Sequence, residues 1–171
     1  MSSYNKLIIF ILILILVSAA IVFIDSSIDN MNEAMPKISD SIVNGDNDYN
    51  EAVSLLNGKR YEESMNKAIS AGNNYNESLS KLNILKDNFT SDVNSVHREY
   101  IEDAIFELEL KLQAVDNLKE SINYLETGYN YTGSNYGFEA NDLMNQSLQY
   151  RDARELLVKD NPNLFKQNFI L

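Results

Sequence analysis

The hydrophobic pattern of the chain opens with an uninterrupted apolar run. Residues 7–24 read LIIFILILILVSAAIVFI and contain no charged side chain. A helix of this length spans about 27 Å, close to the ~30 Å hydrocarbon core of a bilayer. A core helix of a soluble protein would carry a polar stripe, which this run lacks. The pattern therefore predicts a transmembrane helix, with the lipid bilayer as the partner of residues 7–24.

The same segment has a second interpretation as a cleaved signal peptide. Lys6 supplies a positive charge before the apolar run, and Ser18, Ala19 and Ala20 offer small residues at a cleavage position. The apolar run continues beyond that position to Ile24, which favours an uncleaved signal-anchor. Residues 1–24 are then a short cytoplasmic end followed by the membrane helix. Both interpretations place the rest of the chain outside the cytoplasm.

The next segment continues the helical pattern outward from the membrane. Its apolar residues are spaced by three and four positions, namely Ile28, Met31, Met35, Ile38 and Ile42. This spacing predicts a stalk helix over residues 25–46. The polar run from Asn44 to Asp48, which contains Gly45, predicts a turn after the stalk. A short helix from Tyr49 to Asn57 follows, and Gly58 is suited to end it.

Residues 47–171 are predicted to form an antiparallel helical bundle of three or four helices. Apolar positions at heptad spacing favour coiled-coil-like packing, and they are Tyr61, Met65, Ala68, Gly72, Tyr75, Leu79 and Leu82. A helix of roughly 35 residues follows from Val93, and a last one covers residues 138–159. No stretch shows the period-two alternation of a strand. The fold class is therefore all-α.

The regular stripes also predict the core and the register of the bundle. Six side chains are expected to be buried, namely Tyr75, Leu79, Leu82, Leu118, Ile122 and Leu125. A break at residues 88–92 makes the two long helices a hairpin. In that hairpin Leu82 is expected to lie near Val96, and Tyr75 near Ala104.

Composition and charge fix the expected location and exclude several function classes. The 171 residues carry a formal net charge of −11 and no cysteine, which excludes disulfides and thiolate chemistry. The acidic balance argues against a nucleic-acid partner. All 25 acidic residues follow residue 24, and Lys6 precedes the apolar run. This asymmetry predicts a single-pass protein of the cell membrane, with a cytoplasmic N-terminus and the C-terminal domain outside.

The search for catalytic and metal-binding patterns suggests no enzyme. Nucleophile-elbow, phosphate-loop and zinc-helix motifs are absent from the sequence. The single histidine, His97, lacks the glutamate three residues before it that a di-iron helix carries, because Asn94 stands there. We therefore expect an exposed or flanking His97, no catalytic residue, no metal site and no cofactor.

One segment offers a candidate contact site for a ligand. Residues 127–137 read TGYNYTGSNYG and predict a loop that presents Tyr129, Tyr131 and Tyr136. The sequence favours a membrane-anchored structural or protein-interaction role, with a protein partner or a second copy of the chain. Two alternatives remain: a ligand-sensing bundle that acts through a separate membrane partner, and a secreted helical protein released by signal-peptide cleavage.

Overall fold

The protein forms four helices connected by short segments. The computed structural model describes the backbone of residues 3–91 and 93–165, and within these ranges the side chains from residue 30 onward. The helices are α1 (Ser3–Asn57), α2 (Tyr61–Asp87), α3 (Ser95–Glu126) and α4 (Asn130–Asp160). No strand occurs in the described ranges. The predicted all-α class and the helical bundle are confirmed, and the bundle has four helices.

Consecutive helices pack against each other, so α3 contacts both α2 and α4. In α1 and α2, hydrogen bonds join Ser64 to Ala52 and Ser78 to Ile38. The residue number on α2 rises from Ser64 to Ser78 while that of its partner on α1 falls from Ala52 to Ile38, so the two helices are antiparallel. The predicted stalk helix, residues 25–46, is part of α1, and its side chains from Met31 to Ile42 contribute to the common core.

Small residues repeat every seven positions where α1 meets α2. The buried members of this seam are Ile38, Gly45 and Ala52 on α1, and Ser64, Ala71 and Ser78 on α2. The hydroxyl of Ser64 donates to the Ala52 carbonyl at 2.8 Å, and that of Ser78 donates to the Ile38 carbonyl at 3.3 Å. These bonds satisfy polar groups that would otherwise be costly to bury. The short side chains allow the two backbones to approach closely.

The contact between α3 and α4 uses the same device. Its buried members are Tyr100, Glu107, Ala114 and Ser121 on α3, and Gly133, Ala140, Ser147 and Arg154 on α4. The Ser121 hydroxyl donates to the Gly133 carbonyl at 2.7 Å. Both helical hairpins therefore have small residues at heptad spacing in their contacts, together with larger buried side chains such as Ile38 and Tyr100.

The predicted turn at residues 44–48 is wrong, because α1 runs through it without a break. Its acidic residues have partners on other helices, which compensate for poor helix propensity. Asp48 accepts hydrogen bonds from Lys67 at 2.9 Å and from Ser70 at 2.6 Å. Those bonds outweigh the burial that would raise the pKa of Asp48, so this pKa lies below its ordinary value. Gly45 is needed for the close approach of the Tyr75 ring.

The predicted loop at residues 127–137 is also wrong in extent. The connection is limited to residues 127–129, where Gly128 adopts a positive φ of 85°, and α4 begins at Asn130. Gly133 lies inside α4 against Leu125, and a Cβ there would be 2.6 Å from the Leu125 Cγ. This glycine therefore permits contact between helices, and helical packing overrides its usual preference for turns.

The predicted core is confirmed for four of its six members. Tyr75, Leu82, Leu118 and Ile122 are buried. Leu79 and Leu125 are only partly buried.

The predicted register of the α2–α3 hairpin is wrong. Gly72 faces Val115, and the Lys111 ammonium lies 5.5 Å from the centre of the Tyr75 ring. Tyr75 therefore lies opposite Lys111 instead of Ala104. The connection contributes to the shift, because α3 begins only at Ser95, where the Asn94 side chain caps it by accepting from the Val96 amide.

The membrane helix predicted for residues 7–24 lies outside the residues whose side chains the structure describes. Among those that it does describe, no helix combines the length and the apolar character needed to cross a bilayer. Phe169, Ile170 and Leu171 of the apolar tail also lie outside the described residues. The tail segment that is described ends with Phe165 buried against His97 and Tyr100.

We expect Gly45→Ala to destabilise the bundle by about 1–3 kcal/mol, because overpacking forces side chains or backbone to shift. The added Cβ would lie 2.5 Å from the Tyr75 ring, which a hydrogen bond to Asp46 holds in place. Gly58→Ala is the matched control, since its new Cβ meets only ordinary contacts of 3.4 Å. Urea unfolding of both variants followed by circular dichroism measures the difference. A Gly45→Ala variant as stable as the control would contradict the close α1–α2 packing.

Candidate functional site

Four charged side chains form a connected chain through the middle of the bundle. Their order is Asp46 of α1, Lys111 and Glu107 of α3, and Arg154 of α4. We refer to these four residues as the ion chain. Glu107, Lys111 and Arg154 are each no more than 2% exposed, whereas the Asp46 side chain is 38% exposed. The ion chain thus runs from a half-buried carboxylate into the core.

Short hydrogen bonds connect the members of the ion chain. The Lys111 Nζ donates to both carboxylate oxygens of Asp46, at 2.7 and 2.9 Å, and lies 2.8 Å from the Glu107 Oε1. Glu107 accepts through its second oxygen from the Arg154 guanidinium. Two acids and two bases balance, so the group buries no net charge. The desolvation of each ion, which costs several kcal/mol, is offset only as long as every partner is present.

A tyrosine side chain contacts each end of the ion chain. The Tyr75 hydroxyl donates to the Asp46 Oδ1 at 2.6 Å, and the Arg154 guanidinium contacts the Tyr100 hydroxyl at 3.4 Å and its ring face at 5.4 Å. Burial, together with the negative charge of Asp46, raises the pKa of Tyr75. Burial also raises the pKa of Tyr100, against the opposing effect of Arg154. Because Tyr75 lies on α2, all four helices contribute to this arrangement.

The arrangement is suited to specifying helix pairing more than to catalysis. Its buried charges are already neutralised by each other, and only Asp46 is accessible to solvent. Within the described ranges, no three histidine, cysteine or carboxylate side chains come together in a way that could hold a metal ion. A buried polar group that requires an exact partner can select one packing arrangement over others.

Sequence reasoning missed the ion chain, although part of its signal was present. Glu107 and Lys111 are four residues apart, a spacing that is typical of exposed ion pairs on one helix. The stronger signal is the seven-residue series Gly133, Ala140, Ser147 and Arg154, which places an arginine in line with small residues. That series indicates a buried face, because small residues at heptad spacing are typical of close helix contacts.

The predicted tyrosine site is partly assembled. Tyr129 and Tyr136 both contact Tyr124, with ring centres 6.2 and 5.5 Å apart. The rings of Tyr124 and Tyr136 are stacked almost in parallel, at 5°. Tyr131 lies on the first turn of α4 and is 82% exposed. Contacts with Tyr124 therefore position two of the three predicted residues. Tyr129 lies in the short connection, whereas Tyr131 and Tyr136 lie on α4 and not on the loop expected from the sequence.

The prediction of an exposed His97 is wrong. Its side chain is 2% exposed, and its Nε2 lies 2.9 Å from the Leu164 carbonyl, which can only accept a hydrogen bond. The Nε2 therefore carries the proton. The ring also contacts Phe165 edge-on at 5.1 Å. His97 thus attaches the segment after α4 to the start of α3, a long-range contact that local sequence does not indicate.

Comparisons with protein-family models, with curated proteins and with solved structures find no match to this chain.

A buried tyrosine beside the ion chain provides a test of the core. Tyr49 is 3% exposed, and its hydroxyl has no hydrogen-bond partner among the described residues. We expect Tyr49→Phe to leave stability at pH 7 unchanged or to raise it by about 1 kcal/mol, because a buried unpaired hydroxyl is costly. Tyr129→Phe, at a residue 65% exposed, is the control. Urea unfolding at pH 7 makes the measurement, and a clear loss of stability for Tyr49→Phe would contradict the described environment.

The same residue predicts how stability changes in alkali. Burial raises the pKa of Tyr49 from 10.0 to about 12. The folded state then keeps a proton that the unfolded state loses, so this contribution to stability is complete below pH 10 and is lost as pH rises towards 12. Between these pH values, the Tyr49→Phe variant should lose less stability than the parent protein. Parallel losses in the two proteins would contradict the burial of Tyr49.

Proposed function

We propose that this protein is a membrane-anchored helical protein whose acidic bundle lies outside the cytoplasm and has a structural or protein-interaction role. The observation that carries the proposal is the continuity of α1, which extends from Ser3 to Asn57. The apolar run at residues 7–24 and the buried positions from Met31 to Ala52 thus belong to one helix. An anchor built this way holds the bundle directly, without a flexible linker.

The arrangement of the helix ends supports the same proposal. α1 enters the bundle at about Met31, at one end. The same end contains the end of α2, the start of α3 and the segment after α4, with the buried residues Leu85, Val93 and Phe165. The connections at residues 58–60 and 127–129 belong to the opposite end. The acidic residues all follow the apolar run, which suits a domain that stands away from anionic lipid.

Exposed apolar side chains on α4 support a role in interaction. Tyr131, Phe138 and Leu156 are 82%, 72% and 55% exposed. The packing of α4 is chiefly against α3, so the rest of its surface is accessible. Tyr131 and Phe138 are seven residues apart and so share one face of α4, and neighbouring exposed apolar side chains are typical of contact surfaces. A protein partner or a second copy of this chain would meet them there.

The state of the N-terminus tests the anchored form against the secreted alternative. We expect the protein isolated from cells to sediment with membranes after alkaline carbonate washing and to retain residues 1–24. Mass spectrometry of the N-terminal peptide makes this measurement. A mature chain that begins after Ala20 and remains in the soluble fraction would contradict the anchor and favour the secreted protein.

The interaction role is tested by placing a photo-crosslinking amino acid at position Phe138 in cells. Adducts with a protein, or with a second copy of the chain, are expected from this position. The same substitution at Ser80, an exposed residue of α2, is the control. Equal labelling from both positions, or none from either, would contradict a contact surface on α4.

A second candidate function is ligand sensing through a separate membrane partner. A groove between α3 and α4 favours it, because aromatic and amide side chains line a shared surface there. Ligand sites combine aromatic side chains with a few polar groups that fix the orientation of the ligand.

A further inference from the structure

The groove between α3 and α4 encloses about 200 Å³ on the surface of the bundle. From α3 it is lined by Phe106, Leu110 and Gln113, which are four and three residues apart and so share one helix face. From α4 it is lined by Gln146 and by Gln149 and Tyr150, which follow Gln146 by three and four residues. The ion chain, the His97 contact and the tyrosines near the 127–129 connection are not part of this lining.

An aromatic pair lies in the groove. Phe106 and Tyr150 have ring centres 5.6 Å apart at an interplanar angle of 34°. Phe106 is 49% exposed although it lies next to another ring, so part of its apolar surface is available to a ligand. Aromatic rings bury a large area for little loss of conformational freedom, which suits them to binding sites.

The polar lining consists of three amides, one carboxylate and the Tyr150 hydroxyl. Each of the three glutamines offers both hydrogen-bond donors and an acceptor, and Glu109 adds a carboxylate that can only accept. The Gln146 amide nitrogen donates to Asp142 at 2.8 Å, which orients this side chain. No lysine, arginine or histidine lines the groove, so a phosphate, sulfate or carboxylate ligand would find no charge partner.

We propose that this groove binds a neutral oligosaccharide. Hydroxyl groups both donate and accept, which matches amide side chains, and the C–H face of a sugar ring matches the aromatic pair. The volume lies below the roughly 300 Å³ of drug-sized sites, so the groove takes one end or one unit of a longer ligand. A peptide fits less well, since the groove has neither a strand edge to extend nor a continuous apolar stripe for a helix.

This inference rests on the second candidate function and assigns it a ligand class. It is tested on the purified full chain in a detergent without a sugar headgroup, by saturation-transfer NMR with chitohexaose, cellohexaose and maltohexaose. We expect transfer to the ring C–H protons of at least one of these probes. Replacing either aromatic residue, as Phe106→Ala or Tyr150→Ala, should weaken the affinity for that probe about tenfold, which equals about 1.4 kcal/mol.

Controls distinguish the groove from other exposed apolar surfaces and from loss of fold. Ile84→Ala removes an exposed apolar side chain of α2 outside the groove and should leave binding unchanged. Gln149→Leu keeps the size of an exposed side chain but removes its amide, so it should weaken binding while circular dichroism remains that of the parent. Hyaluronan hexasaccharide serves as the anionic probe and should bind more weakly than the neutral ones.

Several outcomes would overturn the proposal. They are the absence of binding to all three neutral probes, equal effects of Tyr150→Ala and Ile84→Ala, and stronger binding of the anionic probe. A photo-crosslinker at position Phe106 that captures a protein in cells, when no oligosaccharide binds, would make the groove a protein interface. Because the purified protein is used, these results do not depend on whether the chain is anchored in a membrane.

Discussion

Replacing Glu107 by alanine should lower the free energy of unfolding by about 3–5 kcal/mol, the largest loss that we expect from one substitution. Glu107 is 1% exposed and is the partner of both Lys111 and Arg154. Its removal leaves Arg154 buried without a carboxylate and Lys111 with Asp46 alone. An uncompensated buried charge costs more than the pair itself contributes, because the desolvation of the remaining ion is no longer offset.

The matched control is Glu109→Ala, two residues away on the exposed side of α3. Urea unfolding of the detergent-solubilised full chain, followed by circular dichroism, should show a change of about 0.5 kcal/mol or less for this control. The combined variant Glu107→Leu, Lys111→Met and Arg154→Met should recover much of the loss, since apolar residues of similar volume often replace buried ion pairs without penalty. Equal stability of Glu107→Ala and Glu109→Ala would contradict the buried ion chain.

Leu82→Ala should cost about 2–5 kcal/mol, the range for a large-to-small change in a packed core. Leu82 is fully buried where α2 meets its neighbours. Ile84→Ala is the matched control on the same helix, since Ile84 is 58% exposed and should change stability by about 0.5 kcal/mol or less. The same unfolding experiment compares the two. If both variants have the same free energy of unfolding, the stripe that contains Leu82 faces a partner and not the core of this chain.

Local patterns in the sequence were sufficient to predict the helical class, several helix ends and four of the six expected core residues. Connections near Gly58, after Asn88 and at Asn161 were expected, and the structure has helix ends at each of them. These features depend on neighbouring residues, through turn propensity and the helical repeat. The burial of Tyr75 and Leu82 follows from the same repeat.

The errors arise where residues far apart in the chain meet. The local sequence at Gly45 and Asp46 predicts a turn. Contacts with Tyr75 and Lys111, at least 29 positions away in the chain, stabilise the helical conformation there. His97 reads as a surface residue until the segment around Leu164 covers it. A local pattern carries no information about such partners, so tertiary contacts override the propensity of the segment.

The small-residue seams were missed for a different reason. Ser64, Ala71 and Ser78 form the buried face of α2 towards α1, yet serine and alanine contribute little to a hydrophobic pattern. The predicted heptad therefore includes Met65 and Leu79, which are only partly buried, and omits the three buried small residues. Close packing of backbones selects small side chains, and a search for large apolar ones does not find them.

The central claim, a membrane anchor that holds the bundle outside the cytoplasm, is tested most directly by cysteine labelling of intact cells. The chain has no cysteine, so one introduced thiol reports on one position. Ser80→Cys, at an exposed site on α2, should react with a membrane-impermeant maleimide in intact cells. Ser2→Cys, before the apolar run, should react only after the cells are permeabilised. The reverse pattern, or reaction at both positions only after permeabilisation, would contradict the account.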